Sequence, residues 1–152
     1  MNLEIDGSIT MLLEERGIRR EDIVRVLTHA LETGEGFRLG ASGRLLAWHR
    51  PEKITFWVEH ERKGDSSRVV RAYSHRMEIL HGFNMASQKK EATEWLCMKC
   101  DLLLELAVVK LTYLDETFAS DLLACPSCQA VLVTEEIAME KMALAEHMLE
   151  DK

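Results

Sequence analysis

The sequence predicts an α+β protein built from two modules, on the basis of three observations. Apolar residues recur at helical spacing near the N-terminus and then alternate, which indicates helices followed by strands. All four cysteines lie in the second half of the 152 residues, in two Cys-x-x-Cys pairs. The last segment is again periodic like a helix. We therefore expect N-terminal helices and a four-stranded antiparallel meander, followed by a cysteine-bearing β module with a C-terminal helix.

The distribution of charge marks the division into modules. Residues 1–80 contain thirteen basic and thirteen acidic residues, including all eleven arginines, whereas residues 81–152 contain six basic and thirteen acidic residues. A polar, glycine-containing joint, His81–Lys90, lies between the two parts. We therefore expect one module over residues 1–82 and a second over residues 91–152.

The first module begins with residues that are typical of the starts and ends of helices. Ser8 or Thr10 can cap a short helix that ends at Gly17. A second helix is marked by apolar residues at three-four spacing, by acidic residues in its first turn, and by Gly34 and Gly36 at its end. These signals predict two helices ahead of the first strand.

Alternating residues then predict the meander, with strands near residues 37–40, 44–48, 54–61 and 68–77. With Asp65 and Ser66 at the tip of the second hairpin, Val58 is expected opposite Tyr73. Val58 and Tyr73 would then share the face that packs on the helices, and Trp57 would lie on the other face.

The second module is expected to alternate strands with the cysteine pairs. Strands are predicted near 105–114 and 118–124, with 131–133 as a candidate third strand, and Thr134 begins the final helix. One apolar face of that helix is expected to pack on the protein's own sheet or to bind a partner, a second copy of the chain included. That face contains Ala138, Met142, Ala145, Met148 and Leu149.

The four cysteines, Cys97, Cys100, Cys125 and Cys128, form two pairs separated by 24 residues. Two pairs at this spacing can surround one ion with four thiolates, which is the tetrahedral set of a structural zinc site. Thiolates select zinc or iron over hard cations. The pairs and the strands around them therefore predict a zinc ribbon of the rubredoxin-like kind with Zn²⁺ as its cofactor.

Iron and metal-free redox dithiols are the alternatives at the same four cysteines. Rubredoxin-type iron pairs and many zinc pairs place glycine after the second cysteine, where this chain has Asp101 and Gln129. An iron site for electron transfer depends on amide–sulfur hydrogen bonds to set its potential, so this departure favours zinc. Thioredoxin-like chemistry uses one pair at a helix N-terminus, so two pairs argue against it. Four thiolates leave no open coordination position for catalysis.

No catalytic residues are predicted, and we expect that the protein is not an enzyme. The six histidines form no His-x-x-x-His or Cys-x-x-His ligand pair. No phosphate-binding loop, serine nucleophile motif or pair of acids stands out. The segment Tyr73–Arg76 ends a predicted strand beside Trp57 with four consecutive hydrogen-bonding residues. This segment can be interpreted either as part of a functional pocket or as ordinary residues of the sheet.

Composition argues against nucleic acid and membranes as partners. The central strand of the second module offers Lys110 and Tyr113 amid acidic residues, which repel phosphate. No apolar run approaches the roughly 20 residues of a membrane span. The acidic start, residues 1–7, lacks the pattern of a signal peptide. Because the thiols are grouped as metal ligands, we expect a cytoplasmic protein.

Residues 93–152 resemble a small family of ribbon proteins from anaerobic bacteria. That family is described as redox proteins and occurs near molybdenum-dependent aldehyde oxidoreductase systems. The residues that carry the resemblance are Tyr113–Phe118, Leu123–Cys128, Glu135–Ala138, Lys141, Met142 and Leu149–Lys152. Within residues 20–80, Ile54–Glu59 and Ala72–Met77 more weakly resemble a small domain attached to iron–sulfur and flavin oxidoreductases of similar organisms.

These resemblances imply a non-enzymatic, zinc-binding accessory protein that docks on, matures or regulates an anaerobic oxidoreductase. The arginine-bearing sheet and the acidic ribbon are the expected contact surfaces. The alternative is a small redox carrier, with rubredoxin-like iron or thiol–disulfide chemistry at the same cysteines. A nucleic-acid-binding zinc ribbon is the third hypothesis.

Overall fold

The computed structural model describes residues 2–80 and 93–151 and shows an α+β fold. Its helices are α1 (Gly7–Glu15), α2 (Arg20–Thr33), a π-helix (Ile137–Met142) and α3 (Ala143–Glu150). Its strands are β1 (Asn2–Glu4), β2 (Phe37–Leu39), β3 (Arg44–His49), β4 (Thr55–Lys63), β5 (Ser66–His75), β6 (Glu78–Ile79), β7 (Trp95–Cys97), β8 (Leu102–Leu103), β9 (Glu105–Tyr113), β10 (Glu116–Ala124) and β11 (Val131–Leu132).

Among the described residues the strands form two sheets. The larger sheet has the order β1-β5-β4-β3-β2-β7-β8, and the smaller has the order β11-β10-β9-β6. All pairs are antiparallel except that of β1 with β5, which is parallel. The larger sheet is therefore mixed, because β1, which the sequence patterns did not predict, joins its edge.

Two strand pairings join the two halves of the chain. In the larger sheet β2 pairs with β7, which sets Phe37 opposite Cys97. In the smaller sheet β6 pairs with β9, which sets Ile79 opposite Leu111. Each half thus contributes a strand to a sheet of the other. The expected joint, His81–Lys90, lies outside the described residues, and so does the boundary predicted within it.

Helices α1 and α2 cover one face of the larger sheet. Because the apolar residues of α2 recur every three or four positions, they form one stripe that faces the strands. The helix ends at Gly34, which has a left-handed φ of 74°, so the predicted end is confirmed. We call the resulting cluster the helix-side core; it consists of Leu13, Ile18, Ile23, Val26, Leu27, Ala47, Val58, Val69 and Ala72.

The opposite face of the larger sheet packs on the smaller sheet and the C-terminal helical segment. Residues of both halves meet in this cluster, which we call the shared core. It includes Phe37, Trp57 and Tyr73 from the first half and Cys97, Val109, Cys125 and Met142 from the second. The shared core is therefore the apolar interior that adjoins the cysteines.

The predicted register of the β4–β5 hairpin is wrong by one residue. Lys63 pairs with Ser66, so the loop lies earlier than expected, and a bulge beside His60 adds one residue to β5. As a result Trp57, rather than Val58, lies opposite Tyr73. Because a slip of one residue exchanges the faces of a strand, Tyr73 lies in the shared core with Trp57 instead of on the helix side.

The C-terminal helical segment begins beside Thr134, whose hydroxyl accepts a hydrogen bond from the backbone N–H of Ile137 at 3.3 Å. Met142 is buried as expected, but Met148 is exposed and Glu146 is buried instead. The π-helix explains this correction, because its wider turns shift the positions that follow away from an ideal 3.6-residue repeat. None of the helices in the described residues is long and apolar enough to cross a membrane.

Candidate metal centre

The fold brings the four cysteines together. Cys97 is the last residue of β7, and Cys100 lies in the turn that leads to β8. Cys125 directly follows β10, and Cys128 lies in the turn before β11. The four sulfur atoms all lie within 4.8 Å of one another. Among the described residues this is the one group of three or more cysteine, histidine or acidic side chains that could hold a metal ion.

The distances between the sulfurs fit one central ion better than disulfides. The Sγ atoms of Cys97 and Cys128 lie 3.6 Å apart, whereas a disulfide bond is about 2.05 Å long. A tetrahedral zinc ion with Zn–S bonds of about 2.3 Å separates its ligand sulfurs by about 3.8 Å. The thiols are free and spaced as ligands of one ion would be.

Each cysteine pair is held by a tight turn with a left-handed residue directly after its second cysteine. The N–H of Asp101 donates to the carbonyl of Cys97 at 2.8 Å, and the N–H of Gln129 donates to the carbonyl of Cys125 at 3.1 Å. The φ angles of Asp101 and Gln129 are 55° and 66°. The positions where many such sites have glycine therefore keep the glycine-like conformation with other residues.

Backbone amides also face the sulfurs. The N–H of Ser127 lies 3.4 Å from the Sγ of Cys125. Burial acts to raise the pKa of Cys125, but hydrogen bonds from the N–H groups of Cys128 and Ser127 and from the thiols of Cys128 and Cys100 together hold that pKa below its usual value. Burial raises the pKa of Cys97. A metal ion bound by the cluster would supply a positive charge that favours the thiolate form of its ligands.

The two pairs come from different sheets. Cys97 belongs to the larger sheet, and Cys125 follows a strand of the smaller sheet. Both are buried and belong to the shared core, whereas Cys100 is half-buried and Cys128 is exposed. An ion bound by all four would therefore connect the sheets at one point and would have one of its sulfurs at the surface.

The second candidate, the segment Tyr73–Arg76, makes structural contacts. Trp57 donates its indole N–H to Nε2 of His75 at 3.0 Å, and Nδ1 of His75 lies 2.9 Å from the carbonyl of Met77. Because the indole can only donate, Nδ1 carries the ring proton. Burial lowers the pKa of His75 to about 4. The hydroxyl of Tyr73 donates to the carbonyl of Val133 at 2.6 Å.

One buried acid, which the sequence patterns did not indicate, joins the two halves. The carboxylate of Glu146 accepts hydrogen bonds from the backbone N–H groups of Arg76 and Met77. Glu146 lies four residues after the buried Met142, so an acid on the apolar stripe of the final helix was the available signal.

Fold and site define an α+β protein with four clustered cysteines that can hold a metal ion. Residues 93–152 match the model of a family described as a domain of unknown function (DUF7479). The matched part contains all four cysteines. No curated protein and no solved structure matches the chain.

Proposed function

We propose that this protein is a non-enzymatic zinc-binding protein whose four cysteines hold one structural Zn²⁺. The observation that supports the proposal is that four cysteine sulfurs, and no histidine or carboxylate, lie within 4.8 Å of one another. Such a set is closed, because four protein ligands satisfy tetrahedral zinc and leave no position for a substrate or an activated water.

The position of the cluster in the fold supports a structural role. The strands β8 and β11 that follow the two pairs have two residues each and cannot hold the turns by themselves. Metal binding contributes roughly 10–16 kcal/mol to the folding of small zinc modules. An ion bound by Cys97 and Cys125 would supply that free energy where the two sheets meet.

Metal analysis of the anaerobically purified chain tests this proposal. We expect one zinc ion per chain, no visible absorption band, and four thiols that react only after chelation. A preparation that contains one iron per chain, or none of either metal with two disulfides, would overturn it.

The alternative is a small redox carrier at the same cysteines. One observation favours it: Cys128 is exposed, so a bound iron would have a ligand sulfur at the surface, where electrons could enter. Ferric tetrathiolate is red and has a reversible one-electron couple, whereas the zinc site is colourless and has none. The visible spectrum and voltammetry of metal-replete protein therefore distinguish the two functions.

Within the proposed function the protein is an accessory of an oxidoreductase or of its maturation machinery. The resemblances of residues 93–152 and 20–80 support this role, and α3 offers a surface for it. Leu144 and Met148 lie one turn apart on that helix, with exposures of 61% and 63%. Neighbouring exposed apolar side chains are typical of contact surfaces.

Affinity capture from the extract of an anaerobe tests the accessory role. We expect the metal-replete chain to retain subunits of an iron–sulfur, flavin or molybdenum oxidoreductase, and the variant Leu144→Glu/Met148→Glu to lose them. Met11→Glu, at an exposed apolar residue of α1, is the control. Light scattering identifies the competing outcome, in which these residues bind a second copy of the chain. Capture that the double variant leaves unchanged would contradict this surface.

A further inference from the structure

A cavity of about 350 Å³ lies between the larger sheet and the second cysteine pair. This volume is in the range of sites for small ligands. Its lining includes Trp48 of β3 and the nearby Arg50, Ile79 of β6, and Cys128 and Val131 at the second cysteine pair. Flat apolar surface and a cationic group therefore face the same space.

Arg50 is held in place with part of its hydrogen-bonding capacity unused. Its Nη1 donates to the hydroxyl of Thr55 at 2.9 Å and to the carbonyl of Met77 at 3.2 Å, and its Nη2 donates to the carbonyl of Arg76 at 3.0 Å. A guanidinium has five N–H donors. Within the described residues, Nε–H and one Nη2–H of Arg50 have no acceptor. Adjacent Nε and Nη2 donors can form the two-bond fork that binds a carboxylate.

The charge of Arg50 is also incompletely compensated. All three of its acceptors are neutral oxygens. Burial lowers the pKa of Arg50, and Glu78 and Glu146 oppose that shift from a distance, without a direct ion pair in the described residues. An arginine stays protonated under such conditions. A ligand anion would therefore meet a preorganised positive charge.

The rest of the wall sets the shape and the charge of the ligand. Trp48 is half-buried, and among the described residues its indole N–H has no acceptor. With Ile79 and Val131 it gives the cavity an apolar wall. Glu35 and Glu78 also line the cavity, and so does Lys99, so the charged side chains of the lining balance one another. Cys97 and Cys128 adjoin the same space, and a zinc ion with four thiolates would carry two net negative charges, so a second negative charge on the ligand would be repelled.

We propose that this cavity binds a small monocarboxylate with a flat apolar body, such as an aromatic carboxylic acid. The carboxylate of the ligand accepts hydrogen bonds from the free N–H groups of Arg50, and the ring of the ligand lies against Trp48. Each of these contacts is made by the protein alone, so the inference holds for zinc and for iron at the cysteines.

Titration of the full-length, metal-replete chain with benzoate, followed by amide NMR, tests the proposal. Benzamide is the neutral control of the same shape, and phthalate is the dianionic control. We expect saturable shifts at cavity residues with benzoate, and binding weaker by about tenfold with either control, since a charge-assisted pair is lost or a repulsion is added. Equal shifts with benzoate and benzamide, or no saturable shift with benzoate, would overturn it.

Two variants locate the site. Arg50→Lys keeps the charge but loses the fork, and Trp48→Leu removes the flat wall; each is expected to weaken benzoate binding by about tenfold. Arg68→Lys, an exposed arginine paired with Asp6, is the matched control and should bind as the wild type does. Should Arg50→Lys fail to fold, Trp48→Leu and the comparison of ligands decide. Unchanged affinity in folded variants would overturn the assignment.

Discussion

The carboxylate of Glu146 accepts a hydrogen bond from the backbone N–H of Met77 at 2.9 Å. Its same oxygen atom also accepts from the N–H of Arg76 at 2.8 Å. These two N–H groups follow β5 and precede the short β6, so they lie where the chain passes from the larger sheet to the smaller. A buried acid of the final helix thus supplies the acceptor for two backbone N–H groups that would otherwise need a carbonyl of a neighbouring strand.

Replacement of Glu146 should reveal this role in the free energy of unfolding. Glu146→Leu leaves the buried N–H of Met77 and the part-buried N–H of Arg76 without an acceptor and should cost about 3 kcal/mol. Glu146→Gln keeps an amide oxygen as acceptor and should cost about 1 kcal/mol, since only the charge assistance is lost. Denaturant unfolding measures both. Equal losses in the two variants would show that the side chain acts by packing alone.

Removal of the metal should loosen the region where the two sheets meet and spare the helix side. Thiolates must be deprotonated to bind an ion, so a chelator or Cys125→Ser should have the same effect. We expect faster hydrogen exchange in β7, β8, β11 and also in β2, because Phe37 pairs with Cys97. The amides of α2, which pack in the helix-side core, should stay protected.

Ser127→Ala is the control for this prediction. It changes the same turn as Cys125→Ser but removes no ligand, because only the backbone N–H of Ser127 faces the sulfur. Hydrogen exchange in the strands around the cysteines should be the same in Ser127→Ala as in the wild type. If the chelated chain keeps its protection in β7 and β11, the metal does not stabilise the fold.

Acid should destabilise the fold through two buried histidines. Burial lowers the pKa of both His60 and His75 to about 4, against about 6.5 in the unfolded chain. The unfolded state therefore binds more protons between these values. The stability that each histidine contributes is fully present above pH 6.5 and is lost as the pH falls toward 4, by up to about 3 kcal/mol.

Unfolding of metal-replete protein at several pH values measures this dependence. His75→Gln should reduce the slope of the free energy of unfolding against pH between pH 6.5 and 5. The double variant with His60→Gln should reduce that slope further. Val69→Ala, a core change without a titrating group, should lower stability at every pH and keep the wild-type slope. The hypothesis fails if His75→Gln keeps that slope too.

The parts that sequence predicts well depend on local chemistry. Gly34 ends α2 because a left-handed residue is needed there, and glycine is the residue that adopts it most readily. The cysteines meet because two pairs supply the number and type of ligands that one ion requires. Both signals lie in a few neighbouring residues and can be interpreted without knowledge of the rest of the fold.

The parts that sequence predicts poorly depend on distant partners or on small irregularities. The bulge beside His60 adds one residue and moves Tyr73 to the other face of the sheet. The π-helix moves Met148 outward and Glu146 inward. The pairing of Phe37 with Cys97 joins residues 60 positions apart in sequence, and no local pattern marks it. The cavity beside Arg50 exists only because these distant pairings form.

Glycine at the position of Gln129 should stabilise the protein. Gln129 has a φ of 66°, and the left-handed region costs a non-glycine residue roughly 1 kcal/mol. Its side chain is exposed and its backbone N–H makes the bond that closes the turn, so Gln129→Gly keeps that bond and removes the strain. We expect a gain of about 0.5–1 kcal/mol in the free energy of unfolding of metal-replete protein. Gln129→Ala is the matched control, because alanine has the same Cβ conflict and should give no gain. If alanine stabilises as much as glycine does, the left-handed turn stores no strain and the gain comes from the lost side chain.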